Sequence, residues 1–298
     1  MIYKIKTKED ISSISSLFSF DKKLALIIRE AGLNIVKHTQ GGKFVFYSLK
    51  DKYKLIFIDK SYGFDIKKAF IKGFSSTKTL GIGLNLLVNI VDYFEIIPKK
   101  DGTTFIFEIY KIEKKEYCLF NKKFNNMEAF LKTDPYLSIT TSGDCGIFEK
   151  VGKKNIFALW DIEGHGSKEV YKNSLKLKKL ILGFKYFELK DSIDVINYLF
   201  CGTKRASLII GEIKKDIFLY QFGNIKFLQK GFISPSVKGI FGMSILEKKE
   251  YNLELDTIAL FSDGIKLTKI PSSYDELSQI IKNKELDDAS ILVIKVKK

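Results

Sequence analysis

The sequence predicts an α+β protein with two domains, an α/β sandwich over residues 1–112 and a β-sandwich flanked by helices over residues 133–298, joined by a linker over residues 113–132. Its 298 residues correspond to roughly one to two hundred residues per domain. Hydrophobic residues make up 45% of the chain and aromatic residues 13%, which supplies a sizeable core and excludes a largely disordered chain. Helical spacing is prominent in the first part, whereas short strands dominate the second.

Helix and strand signals alternate in the first domain. The strongest helix signal runs from Asp21 to Thr39, where apolar residues recur every three or four positions and Gly41-Gly42 can supply the C-terminal cap. A second apolar helix is predicted from Gly83 to Asp92. The other predicted elements are, in chain order, a strand over Ile2–Lys6, a brief helix over Ile14–Phe20, strands over Lys43–Lys50 and Lys54–Asp59, and a hairpin of Phe94–Ile97 with Thr103–Ile112.

The second domain follows a charged and polar segment, which is why residues 113–132 are interpreted as a linker. Two helices are predicted within it, over Lys168–Leu182 and Ser192–Leu199. The predicted strands are Gly146–Phe148, Ile156–Asp161, Ala206–Ile213, Ile217–Phe222, Ile225–Gln229, Thr257–Ser262 and Ser290–Val296. Many short strands with two helices indicate a layered β-sandwich flanked by helices.

The charge pattern argues against a nucleic-acid-binding protein. The net charge is +15, but only Arg29 and Arg205 are arginine, and the lysines are dispersed along the chain. We interpret the excess as a composition bias, with a docking face for an acidic or phosphorylated partner as the alternative.

Membrane and export signals are not expected. No apolar run approaches the roughly 18–20 residues that cross a bilayer, and the charged N-terminal segment does not resemble a secretory signal. The three cysteines are scattered, without metal-binding spacing, and a disulfide framework is not expected. These observations together predict a cytoplasmic protein without a membrane partner.

Several polar residues of the first domain have the spacing of a nucleotide site. Glu30 and Asn34 share a helix face because they are four residues apart, and the Asn34 amide oxygen suits Mg²⁺ while Glu30 can orient or deprotonate a hydroxyl. Asp59 ends a predicted strand, where its carboxylate can accept a hydrogen bond from an adenine amine. Gly81 and Gly83 open a helix, which lets backbone N–H groups approach phosphate. Taken singly, each feature also fits an ordinary polar helix face or turn.

The order E-x-x-x-N, strand-D-x-x-x-G and G-x-G-L, followed by Gly102-Thr103, resembles the GHKL (Bergerat-fold) ATPases. Within them it looks most like the serine-protein kinases of bacterial sigma-factor switches, the RsbT type, which are anti-sigma-factor kinases. The resemblance implies ATP with Mg²⁺ as the cofactor, Glu30 as the general base and Asn34 as the Mg²⁺ ligand. It assigns the adenine pocket and phosphate contacts to Asp59, Gly63, Ser76, Thr77, Gly81, Gly83 and Thr103.

Aspartates near the ends of predicted strands mark the second domain. Asp144 precedes one strand, Asp161 and Asp263 end or follow two others, and Asp287 precedes the last. Carboxylates suit Mg²⁺ or Mn²⁺, and two such ions can clamp a phosphate and activate a water molecule. An isolated Asp-Gly pair is also typical of a plain turn.

In this order the aspartates resemble those of the metal-dependent protein phosphatases (PPM, or protein phosphatase 2C-like), in the branch of the sporulation stage II E and RsbX phosphatases. Lys204-Arg205-Ala206, Gly223-Asn224-Ile225 and Phe261-Ser262-Asp263-Gly264 also fit. The resemblance implies two Mn²⁺ or Mg²⁺ ions. Their implied ligands are Asp144, Asp161, Asp263, Asp287 and the main-chain carbonyl of Ile162, with Asp144, Asp161 and Asp263 as catalytic residues. Asp288 is interpreted as a neighbour of the site rather than a ligand.

The two resemblances imply opposite reactions, phosphorylation by the first domain and dephosphorylation by the second, in one signalling pathway. They imply a bifunctional switch protein, a serine/threonine kinase fused to a phosphoserine/phosphothreonine phosphatase. Its expected substrates are STAS-domain regulators of a partner-switching, stressosome-like pathway, including regulators of sigma factors. Ser61 stands where the kinase family has Gly, which keeps open a phosphatase whose first domain only senses nucleotide. A non-enzymatic module that sequesters a sigma or anti-sigma factor is the other alternative, and a homodimer is left open.

Overall fold

The structure, a computed structural model, divides into two compact units. It describes residues 1–60, 63–71, 82–112, 119–124, 126–134, 142–164, 167–243, 247–282 and 288–297. The first unit comprises Met1–Lys115 and Lys179–Leu199, and the second comprises Glu116–Lys178 and Phe200–Lys298. Among the described residues, none of the helices combines the length and apolarity required to cross a membrane.

The first unit contains an antiparallel sheet covered by helices. Its strands are β1 (Ile2–Ile5), β2 (Gly42–Ser48), β3 (Lys52–Asp59), β4 (Tyr93–Lys99) and β5 (Gly102–Tyr110), in the spatial order β1-β2-β3-β5-β4. Its helices include α1 (Lys8–Ser16), α2 (Lys22–His38), α3 (Ile66–Phe70) and α4 (Ile82–Ile90). Buried residues of α2, such as Leu24, Ile27 and Ile28, contribute to the core together with inward-facing phenylalanines of the strands.

Capping side chains set the helix boundaries in this unit. Asp21 accepts hydrogen bonds from the N–H groups of Lys23 and Leu24, and α2 therefore begins where the sequence predicts. The helix predicted at Ile14–Phe20 instead spans Lys8–Ser16 as α1. The reason is a capping box in which Thr7 and Asp10 bond each other's backbone N–H groups, so the helix starts earlier than its apolar residues suggest.

Residues from the middle of the chain complete the first unit. Helix α5 (Lys168–Gly183) ends in it, and most of α6 (Leu189–Phe200) belongs to it. An ideal Cβ built on Gly183 would lie 2.1 Å from the Phe94 ring, so this helix end approaches β4 at backbone distance. Phe184 packs edge-on against Phe94, with ring centroids 5.3 Å apart, and the Lys185 ammonium lies 2.5 Å from the Glu95 carboxylate. These contacts bury the end of α5 on the edge of the first sheet.

The second unit is a sandwich of two antiparallel sheets. One sheet has the order β14-β11-β10-β9-β8 and the other β13-β12-β15-β16-β7-β6. The strands are β6 (Phe120–Phe124), β7 (Met127–Asp134), β8 (Cys145–Val151), β9 (Lys154–Ile162), β10 (Ala206–Ile213), β11 (Ile217–Phe222), β12 (Lys226–Gln229), β13 (Phe232–Ile233), β14 (Lys249–Leu253), β15 (Ile258–Phe261) and β16 (Ala289–Val296). A single apolar core, including Phe157, Leu219, Phe227 and Leu292, fills the space between the sheets.

Helices cover the outer faces of this sandwich. Helix α7 (Tyr274–Lys282) packs Leu277 and Ile281 into a second apolar cluster on the outside of the six-stranded sheet. The first part of α5 is fixed by a hydrogen bond from the Trp160 indole of β9 to the Ser174 hydroxyl, at 2.8 Å. Cys145 is disulfide-bonded, which runs against the expectation that the scattered cysteines form no disulfide framework.

Candidate metal centre and candidate nucleotide site

Acidic residues collect at one end of the β-sandwich because its strands are antiparallel. Strand β8 begins and its neighbour β9 ends at this end, with Cys145 paired to Trp160. Asp144 and Asp161 are the next residues along the two strands and therefore approach each other. In the other sheet, β15 ends and β16 begins here, which brings Asp263 and Asp288 to the same end of their sheet.

Asp144 is the most unusual carboxylate of the site. Its side chain is fully buried, and neither carboxylate oxygen has a hydrogen-bond partner. Burial and the neighbouring Asp161 carboxylate hold the pKa of Asp144 well above its usual range. The buried Ser290 hydroxyl lies beside this carboxylate and partly offsets the rise in the pKa of Asp144, but the two groups make no hydrogen bond of regular geometry. Unpaired oxygens in a buried carboxylate are costly for a protein alone and fit a hard cation such as Mg²⁺ or Mn²⁺, which prefers oxygen ligands.

The turn before β8 is held by Asp288. The Asp288 carboxylate accepts hydrogen bonds from the Ser142 hydroxyl at 3.0 Å and from the Gly143 N–H at 3.3 Å. The Ser142 hydroxyl oxygen in turn accepts the Asp144 N–H at 2.9 Å. An ideal Cβ on Gly143 would lie 2.6 Å from Val170 and 3.0 Å from the Ile162 carbonyl oxygen, so only glycine fits. The predicted carbonyl ligand, that of Ile162, therefore lies beside the turn that carries Asp144.

Asp263 is positioned by a second turn. It is exposed after β15 and accepts a hydrogen bond from the Asn224 side-chain amide. Gly223 has a φ of +75° and lies against Ser207, whose hydroxyl accepts the Asn224 N–H at 3.3 Å. Ser207 pairs with Asp161 across β9 and β10. Asp161, Ser207, Asn224 and Asp263 thus follow one another through strand pairing and hydrogen bonds.

Asp287, one of the predicted metal ligands, lies outside the described residues. Within the described part of the chain, no three Asp, Glu, His or Cys side chains group as a complete metal-ligand cluster. The structure brings Asp144 close to Asp161. The ligand roles of Asp144, Asp161, Ile162, Asp263 and Asp287 are still predictions.

The predicted catalytic pair of the first unit faces the start of α4. An ideal Cβ on Gly83 would lie 3.3 Å from the Glu30 carboxylate and 3.5 Å from the Asn34 amide nitrogen. That amide nitrogen is buried without a hydrogen-bond partner. The Arg29 guanidinium lies 3.4 Å from Glu30. Glycine at position 83 therefore lets the start of α4 approach these two polar groups closely.

The residues predicted to bind adenine lie where β3 ends and β5 begins. Asp59 is buried and accepts the Thr103 N–H at 2.8 Å. An ideal Cβ on Gly102 would lie 2.2 Å from the Asp59 carbonyl oxygen, so glycine is required for this close approach. The Thr103 hydroxyl is buried without a partner. Gly63 follows with a φ of +66°, and the remaining predicted residues Ser76, Thr77 and Gly81 lie outside the described residues.

Comparison with solved structures identifies the fold of part of the chain. The magnesium complex of RsbX matches with a TM-score of 0.53 and 15% sequence identity, over 60% of this chain and all of RsbX. Part of the chain has the PPM-type phosphatase fold. A bacterial serine phosphatase matches with a TM-score of 0.46 and 14% identity, over 57% of this chain and 98% of its own. Stp1, a serine/threonine phosphatase of Staphylococcus aureus, matches with a TM-score of 0.47 and 13% identity, over 63% of this chain and all of Stp1.

The likeness to RsbX establishes the fold of this part of the chain and no more, because the sequence identity is only 15%. No protein-family model and no curated protein sequence matches the chain. The PPM-type fold agrees with the β-sandwich and flanking helices predicted for the second domain. The GHKL fold, ATP binding and kinase activity rest on the sequence resemblance and on the geometry of the first unit alone.

Several polar residues at the end of the sandwich where Asp144 and Asp288 lie were not among the predicted ligands. Asp134 ends β7 opposite Ala289, at the same end of the six-stranded sheet as Asp288. Ser142 precedes the Gly143-Asp144 pair but has no motif of its own. Asn224 is predicted only as part of the family motif Gly223-Asn224-Ile225, and Asp288 only as a neighbour of the site. Strand pairing between distant segments is what relates these residues, and a single sequence does not reveal it.

Proposed function

We propose that the chain is a metal-dependent protein phosphatase that removes phosphate from phosphoserine or phosphothreonine in a partner protein. The observation that carries this proposal is Asp144, a fully buried carboxylate beside Asp161 with both oxygens unpaired, in a chain of which part has the PPM-type fold. RsbX itself was solved with magnesium. The geometry of Asp144 supports a cation site at the end of this sandwich where Asp144 and Asp161 lie.

The residues divide the work of phosphate hydrolysis among themselves. Asp144, Asp161, Asp263, Asp287 and the Ile162 carbonyl would hold two Mn²⁺ or Mg²⁺ ions, which when bound polarise the phosphate and supply an activated water. Asn224 orients Asp263 through its side-chain amide. Arg205 is exposed immediately before β10, at the same end of the sheet, where its guanidinium can contact the substrate phosphate.

A second activity, an ATP-dependent serine/threonine kinase in the first unit, is favoured by Glu30, Asn34 and Gly83. Asn34 would bind the Mg²⁺ of ATP, and Asp59 with Thr103 would bind adenine. Glu30 would accept the proton of the substrate hydroxyl, while positioning and charge neutralisation supply most of the catalysis. The unpaired Asn34 and Thr103 side-chain atoms support a polar ligand at this place. If phosphorylation does not occur, the same site serves as a nucleotide sensor.

The proposed partners are STAS-domain regulators of a partner-switching pathway, in the cytoplasm. This assignment rests on the family resemblance of both domains, which points to opposing reactions on one protein substrate. A non-enzymatic sequestering module instead requires a stoichiometric complex that is unaffected by Asp263→Ala or Glu30→Ala.

A phosphate-fate assay tests both proposed activities. The Asp263→Ala variant is incubated with γ-labelled ATP, Mg²⁺ and a STAS-domain protein from the same genome. We expect label on the STAS-domain protein, and its release when the wild-type chain and Mn²⁺ are added. If no label is transferred from ATP but phosphate is released from a pre-phosphorylated STAS-domain protein, the chain is a phosphatase with a nucleotide-sensing unit. The absence of both labelling and phosphate release would overturn the proposed function.

A further inference from the structure

Asp288 fastens the segment that carries Asp144. It comes from the start of β16, whereas its two hydrogen-bond donors, Ser142 and Gly143, lie 145 or more positions earlier in the chain. Only 4% of Asp288 is exposed. A buried carboxylate is costly unless it is well hydrogen-bonded, and both of these donors belong to the turn before Asp144. The two bonds therefore hold that turn.

Two consecutive hydrogen bonds connect Asp288 to the Asp144 backbone through Ser142. The Ser142 hydroxyl donates to Asp288 and accepts from the Asp144 N–H, so one hydroxyl links the two acidic residues. On the other side, Val170 and the Ile162 carbonyl leave no space for a side chain on Gly143. The turn is thus fixed from both sides, and the direction of the Asp144 side chain is set with it.

We propose that Asp288, acting through Ser142, is a positioning residue that aims the Asp144 carboxylate at the catalytic metal ions. This inference rests on the proposed phosphatase function and assigns different tasks to the two adjacent aspartates: Asp287 is the predicted ligand, and Asp288 holds the turn of another ligand. Hydrogen-bond partners of metal ligands typically change metal affinity or activity about 10–100-fold when they are removed.

Three variants distinguish a positioning role of Asp288 from a contribution to folding stability alone. Ser142→Ala removes the link between Asp288 and the Asp144 N–H, and Asp288→Ala removes both acceptor bonds. Asp288→Asn keeps an oxygen that can accept from Ser142 and Gly143, so it should rescue most of the function. The matched control is Ser234→Ala, because the buried Ser234 hydroxyl also accepts a backbone N–H, that of Phe227 at 3.0 Å, but contacts no acidic residue of the site.

The test measures Mn²⁺ binding directly, by calorimetry, together with the Mn²⁺ dependence of p-nitrophenyl phosphate hydrolysis. We expect Ser142→Ala and Asp288→Ala to weaken Mn²⁺ binding about 10–100-fold, with Asp288→Asn and Ser234→Ala within a few-fold of wild type. Lower melting temperatures with unchanged Mn²⁺ affinity in the two alanine variants would overturn the inference and leave the phosphatase proposal standing. A wild-type chain that neither binds Mn²⁺ nor hydrolyses phosphate would overturn both.

Discussion

The unpaired carboxylate of Asp144 should lower the stability of the metal-free wild type relative to the Asp144→Asn variant. The Asp144→Asn substitution removes a buried charge and places an amide donor beside the Asp161 carboxylate. Relieving one buried unsatisfied group is worth about 1–3 kcal/mol, more where charge is involved. At roughly 2–4 °C per kcal/mol for a unit of this size, we expect the melting temperature in EDTA to rise by about 2–12 °C.

The sign of the pH dependence follows from the direction of the pKa shift. Because the folded-state pKa of Asp144 is raised, protonation at lower pH relieves the same penalty in the wild type. The stability advantage of Asp144→Asn should therefore be largest above the folded-state pKa and shrink as the pH falls through it. Thermal melts by circular dichroism, in EDTA and in Mn²⁺, measure both effects.

Bound metal should reverse the order of melting temperatures of the wild type and Asp144→Asn. We expect Mn²⁺ to raise the melting temperature of the wild type, since a ligand that binds only the folded state stabilises it, and to leave Asp144→Asn nearly unchanged. The reasoning is refuted if Asp144→Asn is less stable than the wild type in EDTA, or if Mn²⁺ stabilises both proteins equally.

Three further substitutions probe other contacts. Gly83→Val should abolish binding of a fluorescent ATP analogue, because its side chain would crowd Glu30 and Asn34, whose polar atoms lie 3.3 and 3.5 Å from an ideal Cβ at this position; unchanged affinity would contradict the nucleotide site. Gly183→Ala should destabilise the first unit by about 1–3 kcal/mol in denaturant unfolding, since its Cβ would overlap the Phe94 ring; an unaltered midpoint would argue against this packing. Asn224→Ala should lower kcat for phosphate release about 10-fold or more, because Asp263 loses its amide donor; wild-type kcat would remove Asn224 from the site.

Local signals in the sequence predict much of the fold. The predicted strands Ala206–Ile213 and Ile217–Phe222 coincide with β10 and β11, because each has a continuous apolar pattern bounded by polar turns. Helix α2 ends within a residue of its predicted bounds, because its caps are local side chains. Where the determinants are short-range, the sequence suffices.

Long-range pairing explains what was missed. Strand β7 begins in the segment predicted as a linker, and its partner β16 lies more than a hundred residues away. Residues 179–199 belong to the first unit through Gly183 and Phe184, which contact Phe94 on a strand that no local pattern connects to them. Asp288 likewise gains its role from a turn that is distant in sequence.

The central claim is that the chain is a metal-dependent phosphatase. It is tested most directly by measuring Mn²⁺-dependent release of phosphate from a phosphoserine peptide by the wild-type chain and by Asp161→Ala. We expect the wild type to require Mn²⁺ or Mg²⁺ and Asp161→Ala to lose at least about 100-fold in kcat/KM, the upper end of what removing a mere hydrogen-bond partner of a metal ligand costs. Release that persists in EDTA, or that Asp161→Ala retains at the wild-type rate, would contradict a metal-dependent phosphatase.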